Sequence, residues 1–450
     1  MSARSRADAV YEALLARAGE RWVQPRRERV GRLLSLLDDP QRSYRVVHVT
    51  GTNGKTSTSR MIESLLRAHD LRTGLFTSPH LERFTERIMI DGEPIADEAV
   101  ADAWDELVPF ITLVDTELEA AGDAPLTYFE LLTALAFVAC ADAPVDVLVL
   151  EVGMGGEWDS TNTADGDVAV IAPIALDHAD RLGESIAEIA TVKAGIIKEG
   201  AAVVSAVQTA EAEAVLRRVA EERHATIAFE GDEFALASQK LAVGGQLISI
   251  RGLAGNYADE YLPLYGAHQG RNAALAVAAV ESFIGGGAQP IAGDILTEGL
   301  QSATSPGRLQ LVGIAPTVIV DAAHNPHGAT ALAQALDDSF DFDEWGIVLG
   351  VLADKDSAGI VAALAPHAAH VFATAPDSER ATDADAIADL VEAAEKTASV
   401  YPSLELAVEA ARAWAAPSDR RAVLIAGSVV LAGEALSLAE AGNWKAGWNA

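Results

Sequence analysis

The sequence has a single cysteine, Cys140, among its 450 residues, and this residue lies within an apolar run. A lone thiol excludes an intrachain disulfide, so we expect a buried and inert side chain there. No apolar run is long enough to cross a bilayer, and the N-terminus lacks the apolar core of a secretion signal. We therefore expect a cytoplasmic protein with no membrane partner.

Basic residues are also scarce, because 33 Lys and Arg stand against 66 Asp and Glu and give a net charge of −33. A nucleic-acid partner needs a basic footprint for its phosphates, so the composition argues against that class of partner. An anionic small molecule would have to be received by a local basic patch. Since 50% of the residues are hydrophobic, the chain has ample material for two or three globular domains.

The most informative stretch is 46–57, where an apolar β-branched run ends in a glycine-rich turn followed by Lys55, Thr56 and a helical pattern. This layout of strand, loop and helix is typical of a phosphate-binding loop. We expect its backbone N–H groups to face a polyphosphate, Lys55 to reach the β- and γ-phosphates, and the Thr56 hydroxyl to bind Mg²⁺. Val49 stands where the common pattern has Gly, so the loop is a shortened form. An ordinary glycine turn is the alternative.

Apolar strands alternate with helical patterns along the chain, which predicts an α/β fold. We expect a P-loop domain with a doubly wound, mostly parallel sheet over 1–303, then a smaller Rossmann-like α/β domain over 304–450. Predicted strands lie at 46–50, 74–76, 145–150, 168–172, 317–321, 345–350, 369–373 and 421–426. Because ligands bind at the carboxyl ends of such strands, the polar residues there are candidates for chemistry.

Three candidates belong to the first predicted domain. Glu151 ends the strand 145–150 and is placed like the acidic metal ligand that accompanies a phosphate loop, although a surface Glu is the alternative. His178 follows another strand and could be a second ligand or a base, but a lone His is often structural. Lys193 lies in an apolar helical stretch, where a Lys side chain commonly extends its ammonium group to water.

Further candidates lie near and beyond the predicted domain junction. Asn272 lies in a polar segment before a helix of small residues and could cap that helix or contact a base edge. Arg308 follows the predicted linker 302–307, and an Arg at a junction is well placed to clamp a phosphate. Asp321 follows the first strong strand of the second unit, where a simple Asx-type turn is the alternative.

Together these segments resemble the folylpolyglutamate synthases and dihydrofolate synthases, relatives of the Mur ligases, over nearly the whole chain. The Ser-Pro-His-Leu and Asp-His segments favour the folate branch over the peptidoglycan branch. The matching segments are 48–57, 77–81, 86–88, 127–130, 150–156, 159–162, 176–178, 193–198, 268–269 with Asn272, 306–308, 321–326, 354–356 and 426–428.

The resemblance implies an ATP-dependent amide ligase that adds L-glutamate to dihydropteroate or to the γ-carboxylate of reduced folates. ATP would phosphorylate a substrate carboxylate, the glutamate amine would attack the acyl phosphate, and ADP and phosphate would leave. The implied partners are these small molecules alone, and a monomer is expected. The implied catalytic residues are Lys55, His178, Lys193, Arg308, Asp321 and His324.

The resemblance also implies the ligand sets. Two Mg²⁺ sites are expected, one held by Thr56, Ser78 and Glu151, and one by Glu151, His178 and Lys193. Lys193 is expected to be carbamylated, since an unmodified ammonium would repel a cation, and the resemblance leaves room for a monovalent cation. Phe129 and Asp159 would form the pterin side of the folate pocket. The implied nucleotide contacts are Gly51, Thr52, Asn53, Gly54, Lys55, Thr56, Ser57, Asn272, Arg308 and Asp321.

The chain departs from the family pattern at Glu157, where Arg is common, so a charge is reversed near the expected pterin pocket. Two other functions stay open. One is a Mur-type peptidoglycan amino-acid ligase, and the other is a P-loop nucleotide switch whose second domain binds a partner. Within the folate branch, the sequence is compatible with a dihydrofolate synthase, a folylpolyglutamate synthase or an enzyme with both activities.

Overall fold

The computed structural model describes residues 2–18, 26–177 and 179–445. The predicted site residue His178 therefore lies outside the described residues. The strands form three sheets. They are β1 (Arg45–Thr50), β2 (Thr73–Phe76), β3 (Ile88–Ile90), β4 (Glu93–Pro94), β5 (Val147–Glu151), β6 (Val168–Ile171), β7 (Ala202–Ser205), β8 (Thr226–Phe229), β9 (Ala235–Ala242), β10 (Gly245–Arg251), β11 (Asn256–Leu262), β12 (Gln310–Ile314), β13 (Thr317–Val320), β14 (Glu344–Leu349), β15 (Ala368–Ala373), β16 (Ala398–Val400) and β17 (Arg421–Ala426).

Helices cover the sheets and connect their strands. They are α1 (Ala3–Leu15), α2 (Glu28–Ser35), α3 (Lys55–Ala68), α4 (Asp97–Ala120), α5 (Tyr128–Asp142), α6 (Ala179–Leu182), α7 (Ile186–Ala194), α8 (Ala210–Glu222), α9 (Ala267–Gly285), α10 (Gly293–Gln301), α11 (Pro326–Ser339), α12 (Ser357–Leu364), α13 (Ala384–Ala393), α14 (Leu404–Ala415) and α15 (Val429–Ala441), with short 3₁₀ turns at Pro40–Arg42, Phe84–Arg87, Ser160–Thr163 and Ala365–His367. Within the described parts of the chain, none of these helices combines the length and apolar character that crossing a membrane requires.

The first sheet has eight strands in the order β4-β3-β2-β5-β1-β6-β7-β8. Six of them, from β2 to β8, pair in parallel, and β3 and β4 form an antiparallel edge. The side chains of β1 alternate between two cores, as the period of a strand requires. Val47 and Val49 pack with α3 and α9, whereas Val46 packs with α5. The α/β fold class with mostly parallel sheets is confirmed.

A small antiparallel sheet, in the order β11-β10-β9, lies before α9. It is built from the consecutive strands β9 to β11, which run from Ala235 to Leu262. Its inner face contributes Ile248, Ile250 and Leu262 to the core that α9 also shares. The small sheet therefore extends the first unit and does not form a separate core.

The second α/β unit has six strands in the order β12-β13-β17-β14-β15-β16. The pairs from β13 to β16 are parallel, and β12 forms an antiparallel hairpin with β13. The sequence did not predict β12. The predicted division at residue 303 falls between α10 and β12, and this boundary stays a prediction. The strands β1, β5 and β6 of the first sheet and β13 of the second all end beside one cavity.

Candidate active site

A cavity of about 580 Å³ lies between the two α/β units. All the predicted site residues within the described chain line it, and only His178 cannot be assessed. Among the described residues, seven Lys and Arg against five Asp and Glu line the cavity, so it forms the local basic patch expected in this acidic protein. The predicted residues along its wall are Gly51, Thr52, Asn53, Gly54, Lys55, Thr56, Ser57, Ser78, Phe129, Glu151, Asp159, Lys193, Asn272, Arg308, Asp321 and His324.

The glycine-rich loop turns sharply between the end of β1 and the start of α3. Gly54 has a φ of 81°, in the left-handed region that favours glycine. A Cβ at this residue would lie 2.8 Å from the Asn272 side-chain oxygen. The loop backbone therefore touches Asn272 directly, which makes Asn272 part of the phosphate-loop surroundings. The Lys55 ammonium donates to the Thr52 carbonyl at 3.3 Å.

Glu151 and Thr56 form the part of the site that fits a metal ion. The Thr56 hydroxyl donates to Glu151 Oε1 at 3.0 Å. The other carboxylate oxygen is buried and has no hydrogen-bond partner among the described residues. Burial raises the pKa of Glu151 to about 7, against the opposing effect of the nearby Lys55. An orphaned carboxylate oxygen beside a hydroxyl is a suitable partner for a hard cation that takes oxygen ligands.

A complete metal site made of protein groups alone is absent from the described residues, since no three His, Cys, Asp or Glu side chains cluster there. This arrangement suits Mg²⁺, which usually keeps several waters and binds through one or two carboxylates and the substrate phosphates. The residues present therefore fit a phosphate-bound Mg²⁺ better than a structural metal. The alternative that Glu151 is a surface residue is wrong, because its exposed fraction is 1%.

Lys193 is buried beside the phosphate loop. Its exposed fraction is 4%, and its ammonium donates to the Gly51 carbonyl at 2.8 Å. Burial, and then repulsion from Lys55, lowers the pKa of Lys193 to about 7. The alternative that this side chain extends to water is therefore wrong. A substantial fraction of this lysine is a neutral amine near neutral pH.

Asp159 organises the loop that follows β5. Its carboxylate accepts from the backbone N–H of Met154 at 2.9 Å, from the N–H of Thr161 at 3.0 Å and from the Thr161 hydroxyl. The Thr161 hydroxyl in turn contacts His48 Nε2 of β1 at 3.0 Å. Because Thr161 already donates to Asp159, His48 must donate through Nε2. Asp159 thus connects the pterin side of the expected pocket to the strand that carries the phosphate loop.

The second unit contributes Arg308, Asp321 and His324. The Asp321 carboxylate accepts from the backbone N–H groups of Leu309 and Ala323, each at 2.8 Å, so it fixes the segment that carries Arg308. His324 Nδ1 contacts the Ala322 carbonyl at 3.0 Å and must donate to it. Burial and the nearby Lys355 lower the pKa of His324 to about 4. His324 is therefore neutral at physiological pH, and its Nε2 is an acceptor.

A chain of buried hydrogen bonds runs from the nucleotide side of the cavity to the linker. Asn272 donates to Gln269 at 3.1 Å, Gln269 donates to the Ser57 hydroxyl at 3.3 Å, and the Ser57 and Ser305 hydroxyls lie 2.8 Å apart. Ser57, at the start of α3, therefore contacts Ser305 in the predicted linker directly and the predicted nucleotide contact Asn272 through Gln269. These hydrogen bonds give a physical reason for Gln269 and Asn272, which lie in the first turns of α9 and not before the helix as the sequence predicted.

The cavity is also lined by ionisable residues that the sequence did not single out as site residues, among them His80, Arg87, Lys355 and Arg380. The Arg87 guanidinium donates through Nε to His80 Nδ1 at 2.7 Å, and burial lowers the pKa of His80 to about 3. His80, Arg87 and Lys355 lie within the family-like segments, so those segments held a signal for them. Arg380 follows β15 outside them, and no sequence pattern points to it.

Glu157 does not lie in the cavity wall. Its side chain is exposed, and its backbone N–H donates to the Val192 carbonyl at 2.8 Å. The charge reversal expected beside the pterin pocket therefore falls at the surface, outside the set of lining residues.

Comparison with known proteins gives a consistent result. Residues 96–280 match the Mur ligase middle domain, and residues 307–429 match the Mur ligase glutamate ligase domain. The chain is 45% identical over 449 residues to the dihydrofolate synthase/folylpolyglutamate synthase of Mycobacterium tuberculosis, covering 93% of this chain and 92% of that protein. The Bacillus subtilis protein of the same name is 35% identical, with 84% and 88% of the two chains covered.

Solved structures agree with this similarity. The Mycobacterium tuberculosis folylpolyglutamate synthase complexed with ADP has a TM-score of 0.92 and 43% identity, with 97% of this chain and 99% of that chain covered. Escherichia coli FolC in complex with DHPP and ADP has a TM-score of 0.84 and 30% identity, with 97% and 98% covered. The family resemblance drawn from the sequence segments is confirmed by these comparisons.

The contact between Gly153 and Phe129 yields a prediction. A Cβ at Gly153 would lie 2.3 Å from the Phe129 ring, so Gly153→Ala must displace the ring. Overpacking of this kind typically costs about 1–3 kcal/mol. We expect the KM for the pterin substrate to rise about tenfold while the KM for ATP stays unchanged, as steady-state kinetics would measure.

Gly31→Ala is the matched control, since Gly31 lies in α2 with nothing within 4 Å of the added methyl group. It should leave both KM values unchanged. A rise confined to the KM for ATP in Gly153→Ala would contradict the assignment of Phe129 to the pterin side.

Proposed function

Because this chain belongs to the dihydrofolate synthase/folylpolyglutamate synthase family of the Mur ligases, we propose that it adds L-glutamate to a folate precursor or a reduced folate at the expense of ATP. The acceptor is the carboxylate of dihydropteroate, the γ-carboxylate of a reduced folate, or both. The observation that carries this proposal is the cavity in which a phosphate loop, an orphaned buried carboxylate and basic groups of a second α/β unit face one another.

ATP is proposed to bind with its phosphates on the loop from Gly51 to Ser57. The positive end of α3 and the Lys55 ammonium favour the phosphate charge there. Arg308 lines the same cavity and partly offsets the effect of burial on the pKa of Glu151, and it is proposed to clamp the phosphates with its planar guanidinium. Asn272, which contacts Gly54, is proposed to contact the nucleoside, and the hydrogen bonds from Asp321 are proposed to hold the Arg308 segment in place.

Metal binding is proposed at the buried carboxylate. Thr56, Ser78 and Glu151 would hold one Mg²⁺, and Glu151, His178 and Lys193 a second. Mg²⁺ bound there would neutralise charge on the transferring phosphoryl group. The orphaned Glu151 oxygen supports the first site. The second site and a monovalent cation stay predictions.

The proposed reaction relies on positioning more than on covalent catalysis. The acceptor carboxylate attacks the terminal phosphorus of ATP, ADP leaves, and an acyl phosphate forms. The glutamate amine then attacks the carbonyl carbon and phosphate leaves. In this scheme Lys55 and Arg308 stabilise the charge on the phosphoryl oxygens. Neutral His324, with Nε2 as an acceptor, is proposed to accept a hydrogen bond from an N–H of the attacking glutamate amine.

Lys193 is proposed to act as its carbamate. The neutral amine attacks CO₂ and forms the N–C bond, the nitrogen releases a proton to water, and the resulting carbamate anion can bind or orient Mg²⁺. The carbamate nitrogen keeps one N–H, which can still donate to the Gly51 carbonyl that Lys193 now contacts. Burial of the amine and its lowered pKa support this modification.

On the acceptor side, Phe129 and Asp159 are proposed to contact the pterin. Asp159 already accepts three hydrogen bonds from its own loop, so its remaining lone pairs are the ones available to a ligand. The division into domains 1–303 and 304–450, the monomeric state and the cytoplasmic location are proposed on the sequence alone.

A product assay tests the proposed function. The protein is incubated with ATP, Mg²⁺ and L-glutamate, with dihydropteroate and tetrahydrofolate in parallel, and products are identified by mass spectrometry. We expect a product one glutamyl residue heavier from at least one acceptor, with ADP released over many turnovers only when acceptor and glutamate are both present. ADP release at the same rate with and without acceptor and glutamate would favour a nucleotide switch. If neither acceptor gains a glutamyl residue, the proposal is contradicted.

The carbamate generates a separate prediction. Lys193→Ala should lower the ligation rate by about 10²-fold or more. This variant cannot form the carbamate, so the Mg²⁺ that would neutralise the phosphoryl charge loses the anionic group that binds or orients it. ¹³C-labelled bicarbonate should give a carbamate signal by NMR in the unaltered protein and none in Lys193→Ala.

Lys198→Ala is the matched control. Lys198 lies on the same stretch, and its ammonium donates to the Asn162 carbonyl at 3.0 Å, away from the phosphate loop. It should keep both the carbamate signal and the rate. The same signal persisting in Lys193→Ala, or full activity of that variant, would show that Lys193 is not the modified residue.

A further inference from the structure

Asn53, at the tip of the phosphate loop, contacts the second α/β unit directly. Its amide nitrogen donates to His327 Nδ1 at 2.8 Å. Its amide oxygen accepts from the Asn325 side chain at 3.2 Å. His327 and Asn325 both lie at the start of α11. The phosphate loop therefore meets the second unit through a side chain that uses both ends of its amide, an arrangement we term the closure contact (Asn53, Asn325 and His327).

Each side of the closure contact is fixed within its own unit. On the first unit, the backbone N–H groups of Thr52 and Asn53 donate to the Pro173 carbonyl at 2.9 and 3.4 Å. On the second unit, Asn325 Oδ1 caps α11 by accepting from the Gly328 N–H at 2.7 Å. Movement of either unit away from the other would break the contact, since neither end can follow without losing its own hydrogen bonds.

The neighbouring hydrogen bonds determine which groups of the closure contact donate and which accept. Asn325 can only donate through the nitrogen that faces Asn53, because its oxygen caps α11. Asn53 must therefore accept there and donate to His327. His327 therefore accepts through Nδ1, the tautomer that carries its N–H at Nε2. A flipped Asn53 amide would set two N–H groups against each other, so only one orientation of the loop tip satisfies both partners.

We propose that His327 is a positioning residue that holds the tip of the phosphate loop, so that the loop is complete only while the second unit is closed over it. This inference rests on the proposed ligase function and deepens it. Phosphoryl transfer demands exact placement of the phosphates, and closure of a site also excludes water. If the loop is complete only in the closed state, ATP is cleaved only while the second α/β unit lies over the site.

The experiment compares two substitutions of His327 that differ in one acceptor. In His327→Asn the amide oxygen replaces Nδ1 and keeps the acceptor, whereas His327→Leu has a similar size and no acceptor. Losing one hydrogen bond of this kind should lower kcat for glutamate addition about three- to tenfold in His327→Leu, with His327→Asn close to the unaltered enzyme. The dissociation constant for ATP alone should not change, because the contact forms only on closure.

Two further variants make the test specific. His367→Leu removes a histidine of the same unit that contacts Asp337 at 3.1 Å, and it should leave kcat unchanged. Asn53→Ala combined with His327→Leu should be no slower than Asn53→Ala alone, because the contact is already lost. Two results would overturn the positioning role. One is a double variant whose kcat falls below that of Asn53→Ala by the same factor that His327→Leu loses alone. The other is an equal loss of kcat in His327→Asn and His327→Leu.

The unaltered enzyme, assayed in parallel, separates the two hypotheses. If it forms no glutamyl product, the proposed function is wrong. If it is active and His327→Leu works at the full rate, only the closure contact is overturned. A loss in His327→Leu that is matched by a fall in melting temperature, with ATP affinity and kcat reduced together, would also overturn it, because that pattern indicates a structural role.

Discussion

The site depends on one buried negative charge, the carboxylate of Glu151 at the end of β5. Burying a charged carboxylate whose oxygen has no partner costs free energy unless a positive charge lies close to it. Burial accordingly raises the pKa of Glu151 to about 7. Lys55 partly offsets that cost, and a divalent cation with its phosphate ligands would complete the balance. The need for such a counter-charge explains why the phosphate loop, Lys55 and Arg308 all converge on this strand end in a protein whose net charge is −33.

The two α/β units contribute different parts of the chemistry. The first supplies the loop, the carboxylate and the expected pterin side, and the second supplies Arg308, Asp321 and His324. Neither unit alone surrounds a phosphoryl group. The hydrogen-bond chain from Asn272 to Ser305 meets the phosphate loop at Ser57, and the closure contact meets it at Asn53. Both connect the nucleotide side of the cavity to the second unit, so the position of that unit and the shape of the loop are physically coupled.

Much of this arrangement could be predicted because local patterns determine it. The apolar strands at 46–50 and 145–150 and the spacing from Gly51 to Thr56 indicate a strand end and a phosphate loop directly. β12 was missed because Gln310 and Gly313 interrupt its apolar pattern and its pairing partner comes from a hairpin. The burial of Lys193 against the Gly51 carbonyl depends on packing between distant segments. The contact of Asn53 with His327 joins residues 274 positions apart, and no local pattern encodes the relative placement of two units.

The central claim is that this cavity transfers a phosphoryl group to a substrate carboxylate before the amide forms. It is tested most directly by labelling both oxygens of the acceptor carboxylate with ¹⁸O and analysing the released phosphate by mass spectrometry. Through an acyl phosphate, the bridging oxygen stays with phosphorus when the amine attacks the carbonyl carbon, so each turnover should deliver one labelled oxygen to phosphate. Glutamylated product accompanied by unlabelled phosphate would contradict the account.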